Sequence, residues 1–322
     1  MPKHVINLEP DSDTLDAGRL QQMLRLWLAD CRTRLPTYTV DGYESKLNYF
    51  TEWWSGVADW KRHELCVADL QQFARWLSTT HTKRHQPLSR NTQRDALRRL
   101  RQALRWSFAD RHYLPIDISA WVPDLPPALR TRRVATVDEL GRLLKMADWS
   151  YDPLRDRMCL AMLIQTGMRR AELLSIQVET VKMAADWSGT VHVIGKRTVV
   201  NPTGERIIAF DKLAGGHLAP YLDSHGWPDG PLLRNEAGAP VSLRTVDRIV
   251  ERAAERASLT DVVRGCHDLR RAFVTHFRRQ FRGAGYDHLL RKQVGHASDA
   301  ISNIYDLADE ADLVDVIRGP LC

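Results

Sequence analysis

The sequence predicts an α-rich chain of two domains, an all-α domain followed by a mixed α+β domain with a small antiparallel hairpin. Three observations carry this expectation. The first 110 residues hold four stretches in which apolar residues recur every three or four positions. The run Val122-Pro123-Asp124-Leu125-Pro126-Pro127 then interrupts any helix. In the second half, two short β-branched runs flank a polar turn.

Residues 1–16 are polar and acidic, with Asp11, Asp13 and Asp16, and read as a loose leader. Over residues 17–34, Leu20, Met23, Leu24, Trp27 and Leu28 form one helical face, and Pro36 closes it. Over residues 40–54, Val40, Tyr43, Leu47, Phe50 and Trp54 step by three or four throughout. A third helix covers residues 68–77, with Leu70, Phe73, Trp76 and Leu77. The fourth starts from Ser89 as N-cap and runs to about residue 110, with Leu97, Leu100, Ala103 and Leu104 as its core face.

Beside that core face, Arg90, Arg94, Arg98, Arg101 and Arg105 form a stripe. Between residues 81 and 112, nine Lys or Arg stand against two Asp, an excess of seven, whereas the whole chain nets +6. The basicity is therefore local. Arg is a good helix former and suits a solvated face, but such faces interleave acids for i,i+4 pairs, and this one barely does. The stripe is read as a nucleic-acid contact. The boundaries that follow are a leader at 1–16, a helical domain at 17–122, a basic extended linker at 123–133 with Arg130, Arg132 and Arg133, and a second domain at 134–322.

The second domain opens on Thr136-Val137-Asp138-Glu139, a capping box. Residues 154–165 are nearly all apolar after Arg157 and predict a buried helix that ends at Gly167. Arg169 opens the next turn and helix. Glu172 falls three residues later on the same face, where it can hold that guanidinium or make an ordinary helix ion pair. Residues 190–194 and 206–210 read as paired strands around a turn that carries Lys196, Arg197, Asn201, Pro202 and Gly204. Residues 243–257 read as a helix in which Arg244, Arg248, Arg252 and Arg256 step by four. Asp247, Glu251 and Glu255 sit beside them, so this is read as a solvated face. Residues 306–317 form an acidic and apolar amphipathic segment with Leu307, Ala311, Val314 and Ile317.

A hydrophobic content of 43% is that of a globular chain, and a pI near 9.1 permits an anionic partner. The five cysteines are scattered and form no CxxC pair, so neither a zinc site nor a disulfide framework is indicated; reduced thiols in a cytoplasm are the simple reading. No apolar run approaches membrane-spanning length. The chain has no P-loop and no clustered carboxylates of a two-metal site.

The residues with chemical potential are His267-Asp268-Leu269-Arg270, Val294-Gly295-His296 and Tyr305. Arg offers a planar fork for two phosphate oxygens, and His moves a proton near neutral pH. Tyr, with a pKa of about 10, is a nucleophile only with such help. In a helix His267 and Arg270 face the same way. Taken singly, each residue has an ordinary reading: His267 as a helix cap, Arg270 in a surface ion pair, Tyr305 in a core.

Together with Thr166-Gly167-Met168-Arg169-Arg170-Ala171-Glu172-Leu173 upstream, these boxes resemble, in order and type, those of the tyrosine recombinase or phage integrase family in its simple two-domain Xer/Cre-like form. Tyr305 lies nine residues after His296, as the family's tyrosine does. The resemblance covers nearly all of residues 17–322, strongly in the second half and by pattern in the first. Met168 replaces a leucine at similar volume, and Arg271 stands where the family often has a second histidine.

The resemblance implies a core-DNA-binding domain, a catalytic domain and site-specific recombination through a 3′-phosphotyrosyl intermediate. Arg169, Arg270 and His296 would bind the non-bridging phosphate oxygens, with Glu172 in support. Tyr305 would attack, His267 would assist its proton, and Lys196 would protonate the departing oxygen, with Arg197 as its competitor. No cofactor, metal or ATP is implied. The partners implied are double-stranded DNA and, on synapsed DNA, a homotetramer joined through residues 306–322, in the bacterial cytoplasm on the nucleoid. The short leader implies no additional arm-site domain. Two alternatives remain: a catalytically silent DNA-binding regulator of the same fold, and a type IB topoisomerase that only relaxes DNA. The presence of Arg169, Arg270 and Tyr305 argues against the first, and the separate helical domain and acidic tail against the second.

Overall fold

The computed structural model describes residues 17–57, 65–82, 85–111, 114, 116–127, 133–195, 201–235, 237–281 and 286–295. The leader, much of the linker and the segment 306–322 lie outside the described residues. The chain divides into two compact units, Met1–Arg130 and Thr131–Cys322.

The first unit is built on α1 (Ala17–Arg34), α2 (Thr37–Ser55), α3 (Val67–Thr79) and α4 (Arg90–Ala109). The stripes read from the sequence are the ones that pack: Leu20, Met23, Val40, Leu47, Leu70 and Leu77 are buried in one core. Its centre is aromatic. Phe50 meets Phe73 edge to face at 5.0 Å and Trp54 stacked at 5.9 Å. Ser89 caps α4 by accepting from the Thr92 N–H at 3.1 Å. A 3-10 turn at Ile118–Trp121 follows, and Val122 and Leu125 still pack against this core.

In the second unit the capping box forms as expected. Thr136 Oγ1 accepts from the Glu139 N–H at 3.3 Å and Glu139 Oε2 from the Thr136 N–H at 2.9 Å, opening α5 (Val137–Lys145). Arg133 forks onto the same carboxylate at 2.6 and 2.8 Å and, ahead of that backbone bond, holds Glu139 down at about 2. α6 (Pro153–Thr166) is buried from Met158 onwards and is the central helix, against which α5, α8, α9, α10 and β3 pack. Gly167 ends it at φ +64°. After α7 (Arg170–Ser175) comes an antiparallel sheet of β1 (Lys182–Met183), β2 (Gly189–Ile194) and β3 (Glu205–Phe210), in which Val191 faces Ile208 and Val193 faces Arg206. Strand β1 is too short to leave a pattern.

α8 (Lys212–His225) falls in a stretch that the sequence reading leaves unassigned, where Gly215, Gly216 and Pro220 disfavour a helix. A contact across the fold explains Gly215: a Cβ on it would lie 1.7 Å from the Trp187 carbonyl oxygen. Asp211 caps α8 at 2.9 Å through the Ala214 N–H, and burial pushes its carboxyl up to about 6. α9 (Leu243–Arg256), α10 (Cys266–Gln280) and α11 (Asp287–Val294) complete the unit. A smaller cluster of Ala209, Phe273, Phe277, Leu289, Leu290 and Val294 fixes α11 against α10 and β3. Among the described residues no helix is long and apolar enough to cross a membrane.

Gly167 joins α6 to the turn that carries Arg169. A Cβ there would sit 2.4 Å from Phe273 Cδ1 in a backbone conformation that alanine rarely adopts. Gly167→Ala is expected to lower unfolding stability by about 1–3 kcal/mol, measured by denaturant titration. A stability equal to that of the parent would show that Phe273 yields freely and that the left-handed cap is not required.

Candidate active site

The ends of three helices and one strand meet around a buried carboxylate. Arg169 is the N-cap of α7 in extended backbone, and Glu172 is the third residue of that helix. The Arg169 backbone N–H donates to Glu172 Oε2 at 2.6 Å, and its Nη1 donates to Oε1 at 2.8 Å. Glu172 is 1% exposed. Its Oε2 also accepts from Arg206 Nη2 of β3 at 2.7 Å. Burial alone would raise the Glu172 carboxyl, but the Arg206 charge, the Arg169 backbone N–H and the Arg169 charge outweigh it, and the net direction is down.

Arg270, on the first turns of α10, is 4% exposed. The surface ion pair that would have been its ordinary fate is not what it makes. Its Nη1 donates to the Gly167 carbonyl at 2.8 Å and its Nη2 to the Val294 carbonyl. Burial, and after it the neighbouring Arg169 charge, push it down to about 10, which leaves it protonated at neutral pH. Arg169 reaches the same place, donating from Nη1 to Val294 O at 3.4 Å and from Nη2 to Gly295 O at 3.0 Å. These are the last carbonyls of α11, unpaired within the helix and at the negative end of its dipole. Gly295 closes α11 at φ +63°. Gln293, fully buried, anchors the same turn: its Nε2 donates to Thr166 O at 3.2 Å and to Ala209 O at 2.8 Å, and its Oε1 accepts from the Ala209 N–H at 3.1 Å.

His267 is exposed on the first turn of α10. With Arg169, Arg270 and the N-terminal turn of α10 it lines an open cleft of about 900 Å³. Two guanidiniums and a helix N-terminus suit this cleft to an anion. Among the described residues Arg270 makes two hydrogen bonds with its five N–H groups, so donors remain for a ligand. On the far wall Arg170 pairs with Asp247, and Cys266 Sγ lies 3.6 Å from the same carboxylate. Burial and Asp247 push that thiol up to about 12, which makes it inert.

Arg169, Glu172, His267 and Arg270 therefore come together as the sequence reading expected. Lys196, its competitor Arg197, His296 and Tyr305 lie outside the described residues. The residues immediately before two of them are described and touch the cluster. A Cβ on Gly195 would be 2.7 Å from Glu172 Oε1, and one on Gly295 would be 2.9 Å from Arg206 Nε. Arg206 was missed by sequence reasoning. Its signal was a charge in the inward phase of a strand, since Arg206 pairs with buried Val193 two residues from buried Ile208.

On α4, Arg90, Arg98 and Arg105 are exposed and Arg94 is half-buried; none makes an ion pair among the described residues. Arg101 differs. It donates to the Val122 carbonyl at 2.6 Å and lies 3.6 Å from Asp124, so it braces the chain after α4.

The family model of the phage integrase family matches residues 133–311. The tyrosine recombinase XerD of Bifidobacterium longum is 25% identical over 289 residues, which covers 87% of this chain and 90% of that one. The tyrosine recombinase XerC of Xylella fastidiosa is 24% identical over 277 residues, 85% of this chain and 87% of the relative. Among solved structures, a lambda integrase dimer bound to a COC′ core site superposes with a TM-score of 0.66 at 18% identity, over 89% of this chain and 76% of that one. The last likeness is one of fold, a mostly helical chain with a small antiparallel sheet.

Glu172 is the counter-charge for two guanidiniums, one of them, Arg206, largely withdrawn from solvent. Glu172→Ala is expected to cost about 3–5 kcal/mol of stability by stranding Arg206. Because the Glu172 carboxyl is lowered from its ordinary 4.5, its contribution is present above that value and is lost as pH falls through the lowered one. Acid titrations followed by circular dichroism should show this loss in the parent and not in Glu172→Gln. Identical acid profiles would mean that the pair contributes nothing to stability.

Proposed function

The chain belongs to the phage integrase family, and from that premise we propose that Arg169, His267 and Arg270 hold and activate a scissile DNA phosphate for attack by Tyr305. The protein is an enzyme, a tyrosine-type site-specific recombinase that cleaves and rejoins DNA. The observation that carries the site assignment is the convergence of Arg169 and Arg270 on the single Val294 carbonyl, in the cleft that His267 lines, although the two arginines stand about a hundred residues apart in sequence.

A phosphodiester in that cleft presents two non-bridging oxygens to two planar forks. Charge on those oxygens grows as a fifth oxygen approaches phosphorus, and preorganised donors favour that state over the ground state. The Tyr305 oxygen forms a bond to phosphorus, the bond to the 5′ oxygen breaks, and a 3′-phosphotyrosine and a 5′-hydroxyl result. His267 takes the Tyr305 proton, Lys196 gives one to the departing oxygen, and His296 adds a donor to the phosphate. Bond number is conserved, so rejoining is the same step reversed with another strand's 5′-hydroxyl, and neither ATP nor a metal ion takes part. Exchange between two duplexes needs four protomers, and the acidic and apolar segment 306–322 supplies the contact to a neighbouring protomer, on nucleoid DNA in the bacterial cytoplasm.

Tyr305→Phe keeps the ring and removes the nucleophile. DNA binding should survive and the covalent adduct on a nicked substrate should vanish. An adduct that persists would move the role elsewhere, with Tyr286 as the next tyrosine to test, and adduct-free binding by the parent would indicate a silent regulator. On a supercoiled plasmid with two sites the parent should give resolved or inverted circles, whereas relaxation alone would indicate a topoisomerase.

The α4 stripe supplies DNA affinity apart from chemistry, through Arg90, Arg94, Arg98 and Arg105, with Arg101 serving partly as a brace. Removing an arginine that neutralises a phosphate lowers the salt slope of binding by about one unit. Changing Arg94, Arg98 and Arg105 together to Gln should weaken binding and flatten its salt dependence, with thermal unfolding unchanged. Titrations at several salt concentrations decide it, and an unaltered slope in the folded variant would make the stripe a solvated face.

A further inference from the structure

Three arginines gather at Glu172, and the reaction above uses two of them. The third, Arg206, is part-buried on the inward face of β3, and the cleft does not include it. We propose that Arg206 is a positioning residue for cleavage, fastening Glu172 and the C-terminal turn of α11 to β3 so that Arg169 and the chain leading into His296 are set before DNA arrives. This rests on the reading of Arg169 and Arg270 as the phosphate clamp.

The geometry is that of a fork with both prongs in use. Nη2 donates to Glu172 Oε2 at 2.7 Å, and Nη1 donates to the Lys292 carbonyl at 3.1 Å and to the Gln293 carbonyl. The same carboxylate holds Arg169 by its other oxygen. Arg206 therefore links, through one carboxylate, the residue that grips the phosphate to the helix turn that precedes His296. The glycines before Lys196 and His296 lie against this pair, Gly195 on Glu172 and Gly295 on Arg206, and a Cβ at either would collide with it.

Charge gives a second reason. Three guanidiniums and one carboxylate leave two positive charges beside a phosphate whose negative charge grows during attack. Without Arg206, Glu172 would neutralise Arg169 and leave one. A buried guanidinium is a costly way to fill an inward strand position, where an apolar residue of similar volume often serves stability as well or better. Lysine would keep the charge but cannot span from Glu172 to two carbonyls.

The test uses the full chain and a nicked duplex that carries the cleavage site mapped on its native flanking DNA. Arg206→Gln should bind this duplex within about twofold of the parent and form the Tyr305 adduct about 10–100-fold more slowly in a single turnover, because small misplacements of reacting groups cost rates of that order. Arg206→Lys should not rescue the rate. Among the described residues, the charged groups facing Glu172 are Arg169, Arg206 and, from α10, Arg270. With the Arg206 charge gone, burial drives the Glu172 carboxyl up, so the Gln variant should lose cleavage on the acid side at a higher pH than the parent. Adding Glu172→Gln should abolish that limb. Parent-like cleavage by Arg206→Gln, or full rescue by Arg206→Lys, overturns the proposal. Where thermal unfolding shows that the Gln variant does not fold, the Lys variant decides alone. Arg169→Lys on the same duplex separates the two readings. If it cleaves normally, the clamp itself is wrong; if it fails while both Arg206 variants cleave normally, only the role of Arg206 falls.

Discussion

A carboxylate with 1% exposure is tolerable only where fixed positive charge and N–H donors surround it, and Glu172 has both. The rest of the second unit is arranged so that they reach it. α6 must end at Gly167 for the chain to turn and offer the Arg169 N–H. Strand β3 must pair with β2 in the register that puts Arg206 opposite Val193 for the second guanidinium to arrive. The hairpin backbone must lack a side chain at Gly195 to approach the carboxylate. A one-residue slip in the β2–β3 register would turn Arg206 outward and leave Glu172 with one partner.

The same economy applies at the end of α11. A helix of eight residues has few internal bonds to sustain it. Its closing carbonyls here meet Arg206, Arg169 and Arg270, and Gln293 ties the last turn to α6 and β3. The guanidiniums thus do two jobs with different N–H groups. All three close the helix, and Arg169 and Arg270 also line the cleft with donors already oriented. Fixing side chains on the protein's own carbonyls before substrate binds lowers the ordering cost that binding would otherwise carry.

What the sequence made legible follows from how local each cause is. The apolar stripes of α1 to α4, the capping box at Thr136 and Glu139, and the alternation of β2 depend on neighbours within a few positions, and the structure forms them where the pattern puts them. Arg169, His267 and Arg270 were legible because they sit in short boxes whose order carries information. α8 was not, because the reason for Gly215 is the Trp187 carbonyl, a contact no helix rule contains. Arg101 looked like its neighbours on α4, and contacts with the Val122 carbonyl and Asp124 set it apart. Arg206 needed the strand register before its charge became a signal.

Those contrasts bear on how the chain divides its electrostatic work. On α4, Arg90, Arg98 and Arg105 are exposed and make no ion pair among the described residues, so their field reaches solvent and is screened by salt. Around Glu172 the arginines are partly or wholly buried and bonded to fixed acceptors, and burial followed by neighbouring positive charge lowers Arg206 and Arg270. Screening acts weakly there, and position counts for more than net charge. An exposed arginine of the first kind can be moved along its helix at small cost to the fold. Neither Arg169 nor Arg206 can be moved without unpairing a buried carboxylate, so the two sets of arginines answer to different physical constraints.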